Sequence, residues 1–539
     1  MGAAGAAIRL SQAGGWLNCA GRPSLVTDFS PIIPVDPFKK QTSFTGDDPS
    51  RPHSILWDKQ KFLQANPPPE KPERTVDVAI VGGGMSGLSA AYALKDLKPV
   101  ILEQSDRFGG NSKGERWDDL AWSIGAAYIT TPEKGSDEFT LLTELGLMEK
   151  GRMEQAEEGA TVLKDRTIRH GFWKGVTDPA RADEFKGAWR FFRDIYDNRY
   201  PEIPPSIDGP LSPEEFNRMD GIPFKQWIKD NLKPLHPHVE EFLAEYCWSS
   251  FGAGADEISA GQGLSFVASD LSGTVAFPGG NAAITEALVE RLKKELPSHH
   301  LIAGVLAIDV TAQADGVFIL YQDTAGRMRS IKAKKCIVAS PKFVAKHLVS
   351  GLGVSQREAM NRLRYRAYLV ANLPLKKKFP SPSYELFRLT GEVPADNRED
   401  SKKRPFTDLI FGSWAAGDHP KHSVLTLYKA YPFDGGRTEL YVPDAYSNAR
   451  TEFEKGIPEI LKALSLNADD LLDIRITRWG HALPVAETGL IADGTVTRAS
   501  QPLQDRIFFA NQDNWANPCF ETALASANEA ARMVRGSLK

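Results

Sequence analysis

The segment Val76-Asp-Val-Ala-Ile-Val81 runs directly into Gly82-x-Gly84-x-x-Gly87. No other stretch of the chain restricts its fold so tightly. The apolar run suits a buried parallel strand, and positions 85 to 95 follow helical spacing. Between them Gly82 permits a tight turn, Gly84 lets backbone approach a pyrophosphate, and Gly87 lets the helix pack on the strand. A second buried strand, Pro99-Val-Ile-Leu102, ends at Glu103, 19 residues beyond Gly84, where the ribose hydroxyls of a dinucleotide need an acceptor. The open N–H groups at the helix amino end then face the phosphates.

The remaining composition mainly excludes. With 539 residues, 42% hydrophobic and 25% charged, the chain can bury the cores of two or three domains. Its 65 Lys and Arg against 69 Asp and Glu give a net charge of −4 without a basic block, so nucleic acid is not an expected partner. Cys19, Cys247, Cys336 and Cys519 lack paired or CxxC spacing, which argues against a disulfide framework and against a metal site. No apolar run reaches the ~18 residues of a spanning helix, so no transmembrane segment is expected. The amino end, Met1-Gly-Ala-Ala-Gly-Ala-Ala-Ile8 followed by Leu17-Asn18-Cys19-Ala20, reads as the tail of an export signal. It points to a periplasmic or exported protein, with the cytoplasm as the alternative, and makes Cys19 a candidate lipid anchor. Residues 21 to 72, rich in proline, read as an extended arm with little helix.

Other α/β signals recur far along the chain. A helix is expected over Ala282 to Glu295, then hairpin strands over Val305 to Thr311 and Val317 to Gln322, a buried strand from Lys335 to Ser340, another at Arg506-Ile-Phe-Phe-Ala510, and a helix from Glu521 to Val534. The expected fold class is α/β: a Rossmann-like domain with a parallel sheet, assembled from 73–150, 275–345 and 470–539. A discontinuous α+β substrate domain from 151–274 and 346–469 accompanies it, with 1–72 as an amino-terminal extension.

Strand, GxGxxG, Glu103 and then Arg107-Phe-Gly109-Gly110 together resemble the superfamily of flavin-containing amine oxidases and phytoene desaturases. Gly125-Ala126, Pro278-Gly279-Gly280 with its helix, Val305, and the closing Phe508-Phe-Ala-Asn-Gln-Asp513 with Glu521-Thr-Ala523 fit the same pattern. The resemblance implies FAD, held by Gly82, Gly84, Met85, Ser86, Gly87, Glu103, Gln104, Arg107, Gly109, Gly110, Asn111, Gly125, Ala126, Val305, Asn511, Asp513, Phe520, Glu521 and Thr522. The closing segment departs from the family, with Asn511 at a usual Gly and Gln512 at a usual acid, Asp513 following. No Cys stands near Gly480-His481, so the flavin is expected to be non-covalent. Arg366-Ala-Tyr-Leu-Val-Ala-Asn-Leu373 resembles the strand that supplies a flavin-facing lysine in many amine oxidases, yet holds none. No second GxGxxG offers a nicotinamide site, so electrons should come from the organic substrate and leave to oxygen, a quinone or a carrier protein.

On the substrate side the resemblance implies an aromatic wall, with Trp248 and Phe251, Tyr368, Trp414, Trp479, Trp515 and Phe520 as candidates. Catalytic candidates are His481, with an ordinary pKa near working pH, Trp248, Tyr368 and Cys519. Acids such as Asp256-Glu257, beside the aromatic Trp248-Phe251 run, favour an amine, and a polyamine is one such substrate. The expected reaction is hydride transfer from an amine C–H to flavin N5, giving an imine. Oxidation or isomerisation of an apolar polyene, and a non-catalytic flavin-binding protein, are the alternatives. Expected partners are a small-molecule substrate, the electron acceptor and a second copy of the chain in a homodimer.

Overall fold

The computed structural model describes residues 29–154, 160–379, 383–395, 398–417 and 420–538. The export-signal segment and Cys19 lie outside the described residues. The strand Arg74–Val81 joins an eight-stranded sheet. Its neighbours on one side are Val100–Leu102 and then Leu301–Ile302, both parallel. On the other side lies Met328–Val338, also parallel to it, with Val338 beside Val81.

That long strand forks. Its first half pairs antiparallel with Gly316–Gln322, and its last three residues pair parallel with Ile507–Phe509. The fork aligns the carboxyl ends of Arg74–Val81, Met328–Val338 and Ile507–Phe509, although hundreds of residues separate them in sequence. Ligands of open α/β sheets bind at such an edge. Helices Met85–Ala93, Ala282–Glu295 and Phe520–Leu538 cover one face, burying Leu88, Leu288, Leu292, Leu524 and Ala527 in a common core. Gly87 sets how closely the first helix approaches: a Cβ there would stand 1.9 Å from the Gly82 carbonyl oxygen.

A second, mainly antiparallel sheet has the order Thr167–His170, Thr161–Lys164, Glu385–Leu389, Asp408–Phe411, Ser423–Tyr431, Tyr365–Leu375, Arg475–Pro484 and Thr45–Gly46. Helices Ala182–Asn198, Pro237–Phe251 and Ala260–Asp270 form an aromatic-rich core beside it. Two segments sit with the other sheet from the one their sequence position suggested. Arg475–Pro484, beyond residue 469, pairs with Tyr365–Leu375 over seven residues, and Val349–Ser350, beyond 345, pairs with Leu306–Gln313.

The arm also differs from its expected extended form. It contains the helices Ser50–Leu56 and Lys59–Ala65 and the strands Ile32–Pro34 and Thr45–Gly46. Pro52 falls within the first turn of its helix, where a missing N–H costs nothing, and Ile55 and Leu56 bury against Leu306 and Ile308. Among the described residues no helix is long and apolar enough to cross a membrane.

Gly87→Ala should destabilise the protein by about 1–3 kcal/mol, because the added methyl group meets backbone that cannot yield cheaply. Guanidinium denaturation checks this; a loss below about 0.5 kcal/mol, the scatter of ordinary surface substitutions, would show that the helix is not closely seated.

Candidate active site

A cavity of ≈ 1780 Å³ is lined by residues from both sheets and from the arm. At its first end Gly82 has φ +114°, a conformation suited to glycine, and turns the chain out of the sheet. The Gly83 amide donates to Glu103 Oε2 at 2.7 Å, and the Ser105 amide donates to Oε1 at 2.8 Å. Glu103 is therefore fixed at the strand end with its remaining lone pairs beside the cavity. Helix Met85–Ala93 begins at Gly84 without a side-chain cap, leaving its first amides for a ligand.

The glycines show whether a dinucleotide fits this cradle. A Cβ on Gly83 would stand 2.3 Å from the Phe108 ring, whereas one on Gly84 would meet only the Gly110 backbone, its Cα at 3.5 Å and its N at 3.8 Å. Space is thus open in front of Gly84, where a pyrophosphate has to approach. The Gly109 amide donates to the Gly83 carbonyl, holding the Gly109-Gly110 turn across from it. The Val305 amide donates to the Glu103 carbonyl at 2.9 Å, which brings the hairpin to the ribose end. The residues present fit the group.

Most expected contacts assemble here. Gly82, Gly84, Met85, Ser86, Glu103, Gln104, Gly109, Gly110, Asn111, Gly125, Ala126, Val305, Asn511, Phe520, Glu521 and Thr522 all line the cavity. Asn111 Nδ2 donates to the Ala482 carbonyl at 3.0 Å, and the Ala126 amide donates to the Asn111 carbonyl, so this corner is braced by the second sheet. Glu521 accepts from the amide and hydroxyl of Thr130 at 3.0 and 2.7 Å.

Three cofactor candidates lie elsewhere. Gly87 is under the turn, against Gly82 and Ala339. Arg107 turns away and donates to the Ser30 carbonyl at 3.0 Å, anchoring the arm. Asp513 is fully buried in an ion pair with Lys342, 2.6 Å away, and also accepts from the Lys342 amide and the Tyr365 hydroxyl. Its neighbour Gln512 reaches the cavity instead.

The catalytic candidates divide similarly. Trp248 is a core residue, 1% exposed, with the Arg404 guanidinium over its ring, and does not line the cavity. Phe251, Trp414 and Trp515 are also absent from the wall, whereas Trp479 lines it and donates to the Ile124 carbonyl at 2.8 Å. Tyr368 lines the cavity with its hydroxyl 3.2 Å from Ser249 Oγ. Cys519 lines it too, but its thiol bonds Asn517 and Thr522, and burial raises its pKa well above the usual range, leaving a protonated, weakly reactive group.

His481 stacks on Phe343 with ring centroids 4.0 Å apart, and Arg437 donates to its Nε2. Burial first, then the charges of Arg437, His53 and Lys346, push its pKa down to about 3. It is a neutral acceptor at physiological pH, unlike the near-neutral base expected from its residue type.

The second end of the cavity holds groups that the sequence reading missed. Glu385 and Asp408, on adjacent strands, hydrogen-bond to each other, and burial raises both pKa values, so the pair retains a proton. Asp270 accepts from the Tyr246 hydroxyl at 2.5 Å, and burial pushes its pKa up to about 7. Tyr128, Tyr368 and Tyr428 complete this lobe. Toward the surface it continues past Glu133, Asp137, Glu138 and Glu202; among the described lining residues of 128–138, 196–210 and 249–272 there is no Lys, Arg or His. Asp256 and Glu257 are not part of this wall, and Glu257 pairs with Arg364 and Arg366. A carboxylate inside the otherwise apolar run Asp408-Leu-Ile-Phe411 was the available sequence signal.

A dinucleotide cradle opening onto a lobe of carboxyls and tyrosines is the arrangement of a cofactor-dependent oxidoreductase. Residues 85–535 match the profile of the family described as flavin containing amine oxidoreductase, and the chain belongs to that family. It is 26% identical over 533 aligned residues to oxidoreductase PigB of Serratia sp. (strain ATCC 39006), covering 86% of this chain and 75% of that protein. It is also 28% identical over 159 residues to a probable flavin-containing monoamine oxidase A of Dictyostelium discoideum, covering 29% and 33% of the two chains. Among solved structures, putrescine oxidase bound to putrescine superposes with a TM-score of 0.64 at 15% identity, covering 86% of this chain and 99% of that one. Cyclohexylamine oxidase from Brevibacterium oxydans IH-35A gives 0.62 at 16% identity with the same coverage. The molecule is a flavin-dependent oxidoreductase with the amine oxidase fold.

Gly84→Ala should fold normally yet purify without flavin, because its methyl group has room in the protein and collides only with bound pyrophosphate. Thermal unfolding and flavin absorbance read the two effects; full flavin content would contradict the cradle assignment. A pH effect follows from His481. Its pKa of about 3 lies below its ordinary 6.5, so the unfolded chain binds the proton more tightly. The resulting stability is fully present above pH 6.5 and is lost as pH falls from 6.5 toward 3. His481→Gln should flatten that part of the stability-against-pH curve, and an unchanged slope would exclude a depressed pKa.

Proposed function

We propose that this enzyme oxidises a cationic amine, with polyamines the favoured class, using non-covalently bound FAD. The observation that carries this reading is the lobe of carboxyls and tyrosines at the far end of the dinucleotide cavity. An amine arrives as an ammonium ion, and a path lined by Glu133, Asp137, Glu138 and Glu202 attracts it while repelling anions. Inside, Asp270 and the Glu385–Asp408 pair receive it. Carboxyls spread along the lobe suit a substrate with more than one charged nitrogen.

FAD, when bound, supplies the two-electron acceptor for the C–H bond next to nitrogen, so that the amine leaves as an imine which water hydrolyses. The protein must first expose the nitrogen lone pair. A carboxyl pair that retains one proton is suited to this: its ionised member accepts a proton from the ammonium, and the tyrosine hydroxyls orient the neutral amine. His481, neutral and bonded by Arg437, serves as a fixed part of the wall. An apolar polyene would leave Asp270, Glu385 and Asp408 desolvated without compensation, which disfavours the desaturase reading. Oxygen, a quinone or a carrier protein takes the electrons onward, and the expected location is periplasmic or exported.

The test is anaerobic. Flavin absorbance of the purified protein should bleach on adding a cationic diamine or polyamine, and Asp408→Asn, which removes the ionised member of the pair, should slow that bleaching about 10–100-fold, the worth of a charge-assisted hydrogen bond. Bleaching by a polyene alone would overturn the amine reading, and bleaching by neither would leave a flavin-binding protein without turnover.

A further inference from the structure

We propose that the amino-terminal arm is a cofactor strap, closing the cavity over the dinucleotide opposite a cationic rim, Lys346 and Arg437, that faces its phosphates; this rests on the FAD reading. The family match begins at residue 85, so the arm lies outside it. Yet residues of its 46–57 stretch line the cavity.

The arm is fixed at both ends of that stretch. On the second sheet Asp47 Oδ2 accepts from the Gly480 amide at 2.7 Å and the Tyr441 hydroxyl at 2.9 Å, while Arg478 Nε donates to Oδ1 at 3.3 Å. On the first sheet Arg51 donates to the carbonyls of Gly304 and Gln322, each at 2.9 Å, and Lys59 pairs with Asp309 at 2.7 Å. Gly304 is adjacent to Val305, whose amide holds the Glu103 carbonyl, so this second anchor lies beside the expected ribose site.

Between the anchors, His53 and Trp57 line the cavity together with Lys346 and Arg437. Among the described residues no carboxylate pairs with Lys346 or Arg437; Arg437 donates instead to neutral His481. Burial lowers the pKa values of His53 and Lys346, and repulsion by the Arg437 charge lowers them further, with Asp47 opposing it only at His53. A diphosphate ester is an anion that would relieve this repulsion, and FAD carries one.

The experiment measures flavin release from holoenzyme by the fluorescence that free FAD regains on dilution, using wild type, Asp47→Ala and Lys346→Gln/Arg437→Gln. Asp47→Ala frees the arm from the second sheet, and the double variant removes two charges together with the Arg437–His481 hydrogen bond. Each should release FAD at least tenfold faster than wild type, with the spectrum of the bound flavin unchanged, and the double variant should show a weaker dependence on salt. Release at the wild-type rate from both variants would overturn the strap while leaving the cofactor assignment intact. A wild-type protein that binds no FAD would overturn the cofactor assignment, and the strap with it.

Discussion

The closest constraint in the molecule is the seat of one helix on one turn. Gly87 lies so near the Gly82 carbonyl that no side chain fits between them. This contact aims the uncapped amino end of Met85–Ala93 along the carboxyl edge of the sheet, and Glu103 then fixes the turn by accepting the Gly83 amide. Every other part of the cofactor end is brought to this point. The forked strand Met328–Val338 delivers Ala339 to one side and, through Ile507–Phe509, Asn511 to the other. The buried Lys342–Asp513 pair, with the Tyr365 hydroxyl on the same carboxylate, joins the closing segment to the start of the helix Lys342–Leu348 that follows that strand. Such a pair costs desolvation and contributes mainly by fixing geometry, since leaving either charge alone would be strongly unfavourable.

The second sheet contributes a different chemistry. Its strands place carboxyls and tyrosines on the face that meets the cavity, whereas Lys346, on the helix Lys342–Leu348, and Arg437 place cations at another part of the wall. A single cavity is therefore polarised, with negative groups where an amine would bind and positive groups where phosphates would be held. Water exclusion strengthens both interactions. It also accounts for the opposite displacements of His481, pushed toward neutrality by cations and burial, and of Asp270, pushed toward its protonated form by burial.

The cofactor end was legible in the sequence because it depends on backbone shape. A turn that only glycine tolerates, a strand that ends in an acid, and a helix that needs a small residue all leave marks at fixed spacing. Side-chain direction left no such mark. Asp513 and Gln512 are neighbours, and only the local 3₁₀ turn Gln512–Asn514 decides that Asp513 turns inward to Lys342. Trp248 belonged to an aromatic run that looked like a substrate wall, but its helix directs it into the core. The carboxyl lobe was hidden for another reason: Asp270, Glu385 and Asp408 come from separate elements, and only pairing of Glu385–Leu389 with Asp408–Phe411 brings two of them together. The helices of the arm were obscured by prolines, one of which stands at a helix start where it is tolerated.

The most direct test of the whole arrangement is a crystal structure of the holoenzyme with a slowly reacting diamine. The pyrophosphate of FAD should lie in front of Gly84 and Gly110, and the nitrogen nearest the flavin should lie in the lobe of Tyr368, Glu385 and Asp408. A cofactor bound away from the GxGxxG turn, or a diamine held outside the carboxyl lobe, would contradict the account.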